Sequence, residues 1–324
     1  MSKSLAIRGD RLDVDFEAIR EAARRIEPCI HRTPVLTSRY FNELLGAEVY
    51  FKCENFQRTG AFKIRGACNA VLSLDDEQAS RGVVTHSSGN HGQAMALAAK
   101  MRGIKATVVM PRNAMAVKLA AVEGYGAQVV LCDPGEVSRQ AAADEVIRQT
   151  NATLIHSYND PHIVAGQATA CLELIEEAGP LDLILAPLGG GGLLSGTALA
   201  AKVMCPDALV IGVEPAGADD ALRSLEAGRI LPSVSPRTIA DGLLMPLGDL
   251  TFKIIRKQVS AVVIVDDDAI IDAMRRVWQR MKVVIEPSAA TAAAALVQAR
   301  METSHKRIGV IFSGGNVDLD KLPW

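Results

Sequence analysis

Four short segments of this 324-residue chain pair reactive or small polar side chains with spacings that suit ligand chemistry. In ENFQRTGAFKIRGA (54–67), Lys63 stands between Phe62 and Ile64, which fits either a buried amine or a lysine on an exposed helix face. Burial would lower its pKa and leave a neutral amine able to condense with an aldehyde. THSSGNHGQ (85–93) sets small residues before an Ala-rich stretch. Converging N–H groups and a helix dipole there suit a carboxylate, and the same residues also make an ordinary helix cap. PLGGGGL (187–193) contains four successive glycines, which lose much conformational freedom on folding. They fit close backbone approach to a phosphate or a tight strand–helix crossing. A dinucleotide fingerprint fails because Leu194 stands at its third glycine, and no Gly-Lys-Ser/Thr follows to make a triphosphate loop. IFSGGN (311–316) offers Ser313 as a hydroxyl for a ligand ring nitrogen. Ile311 replaces the first glycine of a nucleophile elbow and Ser195 fails the same test, so serine-hydrolase chemistry has no support.

Such segments converge only where the carboxyl ends of strands meet helix N-termini, the place where open α/β sheets bind ligands. The chain supplies that pattern. Strands are predicted at 82–85, 106–110, 128–132, 154–156, 183–186, 210–214, 261–265 and 307–312, and helices at 93–102, 137–150, 166–178, 193–204, 268–281 and 288–301. Apolar runs without alternation mark strands buried on both faces, hence a doubly wound α/β protein. Apolar residues at 49% and charged residues at 22% support a large core and argue against disorder. The length suggests about two domains, and no Pro/Ser-rich hinge separates them. A net charge of −2 with 4% aromatics leaves neither basic tracts nor stacking platforms, so no nucleic-acid partner is expected. Six cysteines without a CxxC pair read as reduced thiols of a cytoplasmic protein. The charged amino terminus is no signal peptide, and the uncharged run 183–201 contains Pro187 and five glycines, so no membrane span is expected.

Together the four segments ask for a cofactor with an aldehyde, a phosphate and a ring nitrogen, and pyridoxal 5′-phosphate has all three. The chain resembles the fold-type II pyridoxal-phosphate enzymes of the serine/threonine dehydratase and serine racemase family. The resemblance rests on TGAFKIRGA, HSSGNHGQA, AGQ, GGGGLLSG, EPAGADD, ADG, IEPSAA and SGGN, collinear from about His31 to Asp318. It implies two open, doubly wound twisted sheets. A large cofactor domain would span 1–72 and 160–324, with a small domain, 78–156, inserted in it and the active site between them.

By that resemblance Lys63 is the Schiff-base lysine and catalytic base, with Phe62 against the pyridine ring and Asn90 on its 3′-hydroxyl. Gly189, Gly190, Gly191, Gly192 and Leu193 hold the phosphate, and Ser313 faces the ring nitrogen. Ser87, Ser88, Asn90 and His91 form the substrate-carboxylate loop, and Ser88 is the acid/base on the opposite face in racemases. EPAGADD resembles a cation site, implying Glu214, the Ala218 carbonyl and Asp220 as ligands for Mg²⁺ or Ca²⁺. An acidic turn after a strand is the plainer reading of those residues. A homodimer is also implied.

The implied reaction is β-elimination of water from an L-3-hydroxy amino acid, giving a 2-oxo acid and ammonia. Two positions bear on the substrate. Met245, in an apolar LLMP stretch where polar residues are usual, favours a hydrophobic β-substituent such as that of 3-phenylserine, or is a packing change. Arg139 aligns with a substrate-side arginine of serine racemases and could take a second carboxylate, or it is a helix-surface residue. Threonine or serine is the family default. The alternatives are serine racemase, 3-hydroxyaspartate dehydratase and, more remotely, a non-catalytic metabolite sensor. Ala168 replaces a common glycine and Ser157 a frequent proline.

Overall fold

The computed structural model describes residues 14–87, 89–114, 116–298 and 301–324. Its strands are β1 (Val35–Thr37), β2 (Glu48–Cys53), β3 (Val83–His86), β4 (Ala106–Pro111), β5 (Gln128–Cys132), β6 (Thr153–Leu154), β7 (Leu183–Pro187), β8 (Leu209–Pro215), β9 (Ala261–Val265) and β10 (Arg307–Phe312). They form two sheets among the described residues, a six-stranded one in the order β1-β2-β10-β7-β8-β9 and a four-stranded one in the order β5-β4-β3-β6. Every pairing is parallel except β1 with β2.

Strand β7 shows why the pattern reads as continuous apolar sequence. Ile184 and Ala186 pack into one core with helices Phe16–Ile26, Pro161–Ala178, Gly192–Met204 and Asp249–Gln258. Leu183 and Leu185, on the opposite face, pack into a second core with helices Asp267–Met281 and Pro287–Val297. Alternate side chains thus point to opposite faces, and both faces are covered. The four-stranded sheet is likewise flanked by helices Lys63–Ser73, Asn90–Arg102 and Ala116–Gly124 on one side and Glu136–Thr150 on the other.

Eight strands fall where the sequence places them, with small shifts at the ends. Strand β6 ends at Leu154 because His156 turns away to accept backbone N–H groups of Asn159 (3.0 Å) and Tyr158 (3.4 Å) at Nδ1. The sequence pattern misses β1 and β2. β1 is a three-residue edge strand, and β2 carries Glu48 and a fully buried Lys52 that break its apolar run. The helix expected from 166 starts at Pro161, where Asp160 accepts N–H bonds from His162 (2.8 Å) and Ile163 (3.1 Å). A proline at the first helical position behind an Asp cap is a start signal in its own right. The helix expected to run from 288 to 301 ends at Val297, and residues 299–300 lie outside the described residues. Cys53, Cys68, Cys132, Cys171 and Cys205 are buried and Cys29 is half-buried, all six as free thiols. No helix among the described residues is long and apolar enough to cross a membrane.

Candidate active site

The carboxyl ends of β3, β7 and β10 open onto one cavity, and Lys63 is brought there by a zipper. Phe62 N–H donates to the Ser313 carbonyl (3.0 Å) and Ala61 bridges Gly314, tying the lysine segment to the end of β10. Behind it, helix Lys63–Ser73 is pinned by buried charges. Arg65 meets Glu54 and Glu173 at 2.7 Å each, Lys52 meets Glu173 at 2.6 Å, and Thr33 donates to Glu54 at 2.5 Å. Two cations face two carboxylates, so no charge in the network is left uncompensated. Gly66 and Gly166 let this helix touch helix Pro161–Ala178 backbone to backbone; a Cβ on Gly166 would lie 2.6 Å from the Gly66 Cα. The next helix packs as closely, since a Cβ on Gly196 would lie 2.6 Å from the Ala168 nitrogen. Ala168 is therefore a packing residue at a helix crossing.

The Lys63 Nζ donates to the Ser157 carbonyl (2.9 Å) and stands 5.1 Å from the centre of the Phe62 ring. Burial brings its pKa down to about 8, so the exposed-lysine reading fails and a sizeable neutral fraction exists near neutrality. His91 is also buried, and its pKa is pushed well below the usual value by burial and then by the charge of Lys63. His156 falls to about 4, by burial first and the neighbouring His86 second. Burial thus keeps the His91 and His156 imidazoles uncharged near neutrality.

The glycine loop fits both of its sequence readings. A Cβ on Gly189 would lie 2.8 Å from the Leu243 Cα, and one on Gly190 would lie 2.4 Å from the Tyr158 ring. Gly191 has φ +88°, where L-residues are strained, and a Cβ there would meet Ile255 at 2.8 Å. One side of the loop is packed against protein, while Gly189 to Leu193 line the cavity at the start of helix Gly192–Met204. A backbone held this way, ending in a helix N-terminus, matches the recurrent anion site of α/β proteins.

Phe62, Ser87, Asn90, His91, Arg139, Met245 and Ser313 line the same cavity. Ser88 lies outside the described residues. Arg139, on helix Glu136–Thr150, spends its Nε on the Gly135 carbonyl (3.3 Å) and forms no ion pair among the described residues. Met245 is half-buried and lines the cavity as Arg139 does. The lining residues that the sequence reading did not assign to the site include Lys118, Asp241 and Glu286. Lys118 and Asp241 pair at 2.5 Å across the cleft between the two sheets. Glu286 accepts from Asn90 Nδ2 at 2.9 and 3.2 Å, and burial, then the charge of Asp241, raises its pKa to about 7. Asp241 and Glu286 sit inside the motifs ADG and IEPSAA, which were legible as strings but not as chemistry.

Glu214, Ala218 and Asp220 lie apart from the cavity, at the end of β8 and the start of helix Asp220–Ala227. Glu214 accepts N–H bonds from Ala221 (2.8 Å) and Leu222 (3.0 Å), and burial raises its pKa to about 8. Asp220 is buried beside Glu214, and burial raises its pKa while a hydrogen bond with Ser233 opposes that rise. Two buried carboxylates side by side, with no cation of the protein paired to Glu214 among the described ion pairs, fit a hard cation with oxygen ligands. No cluster of three or more His, Cys, Asp or Glu side chains among the described residues could hold a metal by itself.

Two helix-covered sheets whose strand ends enclose a desolvated lysine, a packed glycine loop and a terminal serine define an α/β enzyme built round an aldehyde- and phosphate-bearing cofactor. The chain belongs to the pyridoxal-phosphate dependent enzyme family, whose model matches residues 26–314. It is 48% identical over 309 residues to the beta-hydroxyaspartate dehydratase of Paracoccus denitrificans, covering 95% of this chain and 98% of that one. It is 50% identical over 313 residues to the serine racemase of Dictyostelium discoideum, covering 95% and 97%. The crystal structure of serine racemase from Dictyostelium discoideum superposes with a TM-score of 0.91 at 51% identity over 94% of this chain and 99% of that one. The fold-type II assignment and the serine/threonine dehydratase and serine racemase relationship hold.

Proposed function

We propose that this protein is a dehydratase for an L-3-hydroxy amino acid bearing a carboxylate on its β-carbon, 3-hydroxyaspartate being the simplest, and that it releases a 2-oxo acid and ammonia. The observation that carries the reading is Arg139, a cavity-lining guanidinium with no carboxylate partner among the described residues. Its two terminal nitrogens suit a bidentate carboxylate contact. The similarity to a beta-hydroxyaspartate dehydratase supports the same substrate.

The site residues then take these roles. Gly189 to Leu193 hold the cofactor phosphate, Phe62 covers the ring, Asn90 meets its 3′-oxygen and Ser313 its nitrogen. Bound pyridoxal phosphate supplies an electron sink that makes the substrate Cα proton acidic. Ser87, Ser88, Asn90 and His91 hold the α-carboxylate, and Arg139 holds the distal one, so the Cα–H bond is presented to Lys63. The Lys63 amine, whose pKa burial lowers to about 8, offers a neutral fraction that would hold the cofactor and take the Cα proton at Nζ. Ser88 would serve as the acid/base of the opposite face in any accompanying racemisation. The uncharged imidazole of His91 keeps the carboxylate loop from adding a competing cation.

Glu214, the Ala218 carbonyl and Asp220 would hold Mg²⁺ or Ca²⁺, whose part is structural. Either ion should raise the melting temperature of wild type and leave Asp220→Asn unmoved; an equal rise in both would reject the site. The separate four-stranded sheet supports a small domain over 78–156 inserted in a large one, 1–72 and 160–324. We propose a homodimer of such chains in the cytoplasm.

A second reading rests on Met245, whose thioether on the cavity wall favours an apolar β-substituent. Comparing kcat/KM for 2-oxo acid formation from L-threo-3-hydroxyaspartate, L-threonine, L-serine and threo-3-phenylserine separates the readings. 3-Hydroxyaspartate should lead. Phenylserine in front would transfer the choice to Met245, and threonine or serine in front would reject the role given to Arg139.

A further inference from the structure

Asn90 is held by both ends of its amide, and the two holds have opposite polarity. Asn316 Nδ2 donates to the Thr59 carbonyl (2.7 Å) and to Asn90 Oδ1 (2.9 Å), so both of its hydrogens are used and the Asn90 oxygen is the accepting end. Asn90 Nδ2 faces Glu286, whose two oxygens lie 2.9 and 3.2 Å away. An ionised carboxylate only accepts, so the contact fixes which end of the amide is nitrogen. The two oxygens of one carboxylate are too close together to take two diverging N–H bonds. One hydrogen of Asn90 serves Glu286, and the other is left for the cavity that Asn90 lines.

The chain of bonds also crosses the molecule. Asn90 opens the helix that follows β3 in the four-stranded sheet, whereas Glu286 and Asn316 belong to segments flanking β10 in the six-stranded one. Glu286 itself is immobilised, because its N–H donates to the Gly314 carbonyl (3.0 Å) and a Cβ on Gly314 would lie 2.8 Å from its Oε1.

We infer that Glu286 is a positioning residue: by fixing the Asn90 amide with its nitrogen toward the cavity, it makes Asn90 an obligate hydrogen-bond donor to the 3′-oxygen of bound pyridoxal phosphate. This rests on the proposed place of Asn90 at the cofactor and goes beyond it, since Asn90 alone could turn either end to the ring. A donor at that oxygen favours its ionised form, and an acceptor favours the protonated one. The ratio of the two absorbance bands of the resting holoenzyme therefore reads the orientation directly, without turnover. Glutamine at 286 can donate as well as accept, so it removes this hold at nearly constant shape and leaves only that of Asn316.

The experiment compares absorbance spectra of the holoenzymes of wild type, Glu286→Gln, Asn316→Ala and Asn90→Ala at one pH above 8. Far-ultraviolet dichroism and cofactor stoichiometry serve as controls for folding. Glu286→Gln should lower the ratio of ionised to protonated cofactor about tenfold, the equivalent of one lost charge-assisted hydrogen bond. Asn316→Ala should move it the same way by less, and it stands in for Glu286→Gln if that variant does not fold. A fall in Asn90→Ala with no change in the other two would overturn the role of Glu286 and leave Asn90 in place. An unchanged spectrum in Asn90→Ala would overturn both.

Discussion

Gly191→Ala puts the glycine loop to a quantitative test. The residue has φ +88°, and the added Cβ would lie 2.8 Å from Ile255 Cδ1, 2.9 Å from Leu247 Cδ2 and 3.0 Å from the Thr251 Cβ. The left-handed backbone costs an L-residue about 1–2 kcal/mol. Overpacking a core costs roughly another 1–3 kcal/mol. Thr251 has little freedom to retreat, because its hydroxyl donates to the Gly190 carbonyl (2.8 Å). The loss should be on the order of 2–5 kcal/mol if the loop stays where it is. If the loop relaxes instead, its N–H groups turn from the cavity and the loss appears as weaker cofactor binding. Urea unfolding of the apoenzyme measures the first quantity and quenching of tryptophan fluorescence by pyridoxal phosphate the second. Gly124→Ala is the control: nothing lies within 4 Å of its Cβ position, so that variant should unfold no more easily than wild type. Stability within about 0.5 kcal/mol of wild type together with unchanged cofactor affinity in Gly191→Ala would refute the reasoning.

Two further outcomes follow from the same geometry. Arg139→Ala should lower kcat/KM for 3-hydroxyaspartate about 10- to 100-fold while leaving L-threonine within a few-fold, since only the first substrate loses a charge-assisted contact; equal losses on both would assign Arg139 to the scaffold. The pKa of about 8 for Lys63 is depressed, so the neutral amine gains as pH rises through that value and dominates above it. The rate at which the apoenzyme captures pyridoxal phosphate should therefore climb about tenfold between pH 7 and 9 and then level off, whereas a climb continuing past pH 10 would indicate an ordinary exposed lysine.

Much of this was legible in the sequence because the chemistry sits in local strings. The Lys63 segment, the glycine loop and SGGN each stand at one strand end or helix start, so spacing alone could find them. What stayed hidden depends on distant pairs. Lys52 reads as a surface lysine until Glu173, far along the chain, is seen at 2.6 Å. Its strand therefore lost the apolar pattern that would have exposed it. Lys118 had no signal at all, and Asp241 only the string ADG, because their partnership spans two sheets. Glu286 had a partial one: an acid before a helix-starting proline is commonplace at a cap, yet this carboxylate makes no cap bond and turns to Asn90 instead. The glycine loop carries a different lesson. Packing and ligand binding looked like rival explanations of four glycines, and the fold uses opposite sides of the same backbone for each.

The central claim is that Lys63 holds the cofactor in this cavity and works on the substrate there. Borohydride treatment of the holoenzyme, which fixes the lysine–cofactor bond, followed by peptide mapping tests it most directly. The account predicts the cofactor on the peptide carrying Lys63, with protection from trapping when L-threo-3-hydroxyaspartate is added first and no adduct in Lys63→Ala. An adduct on any other lysine of the folded wild-type protein would contradict it.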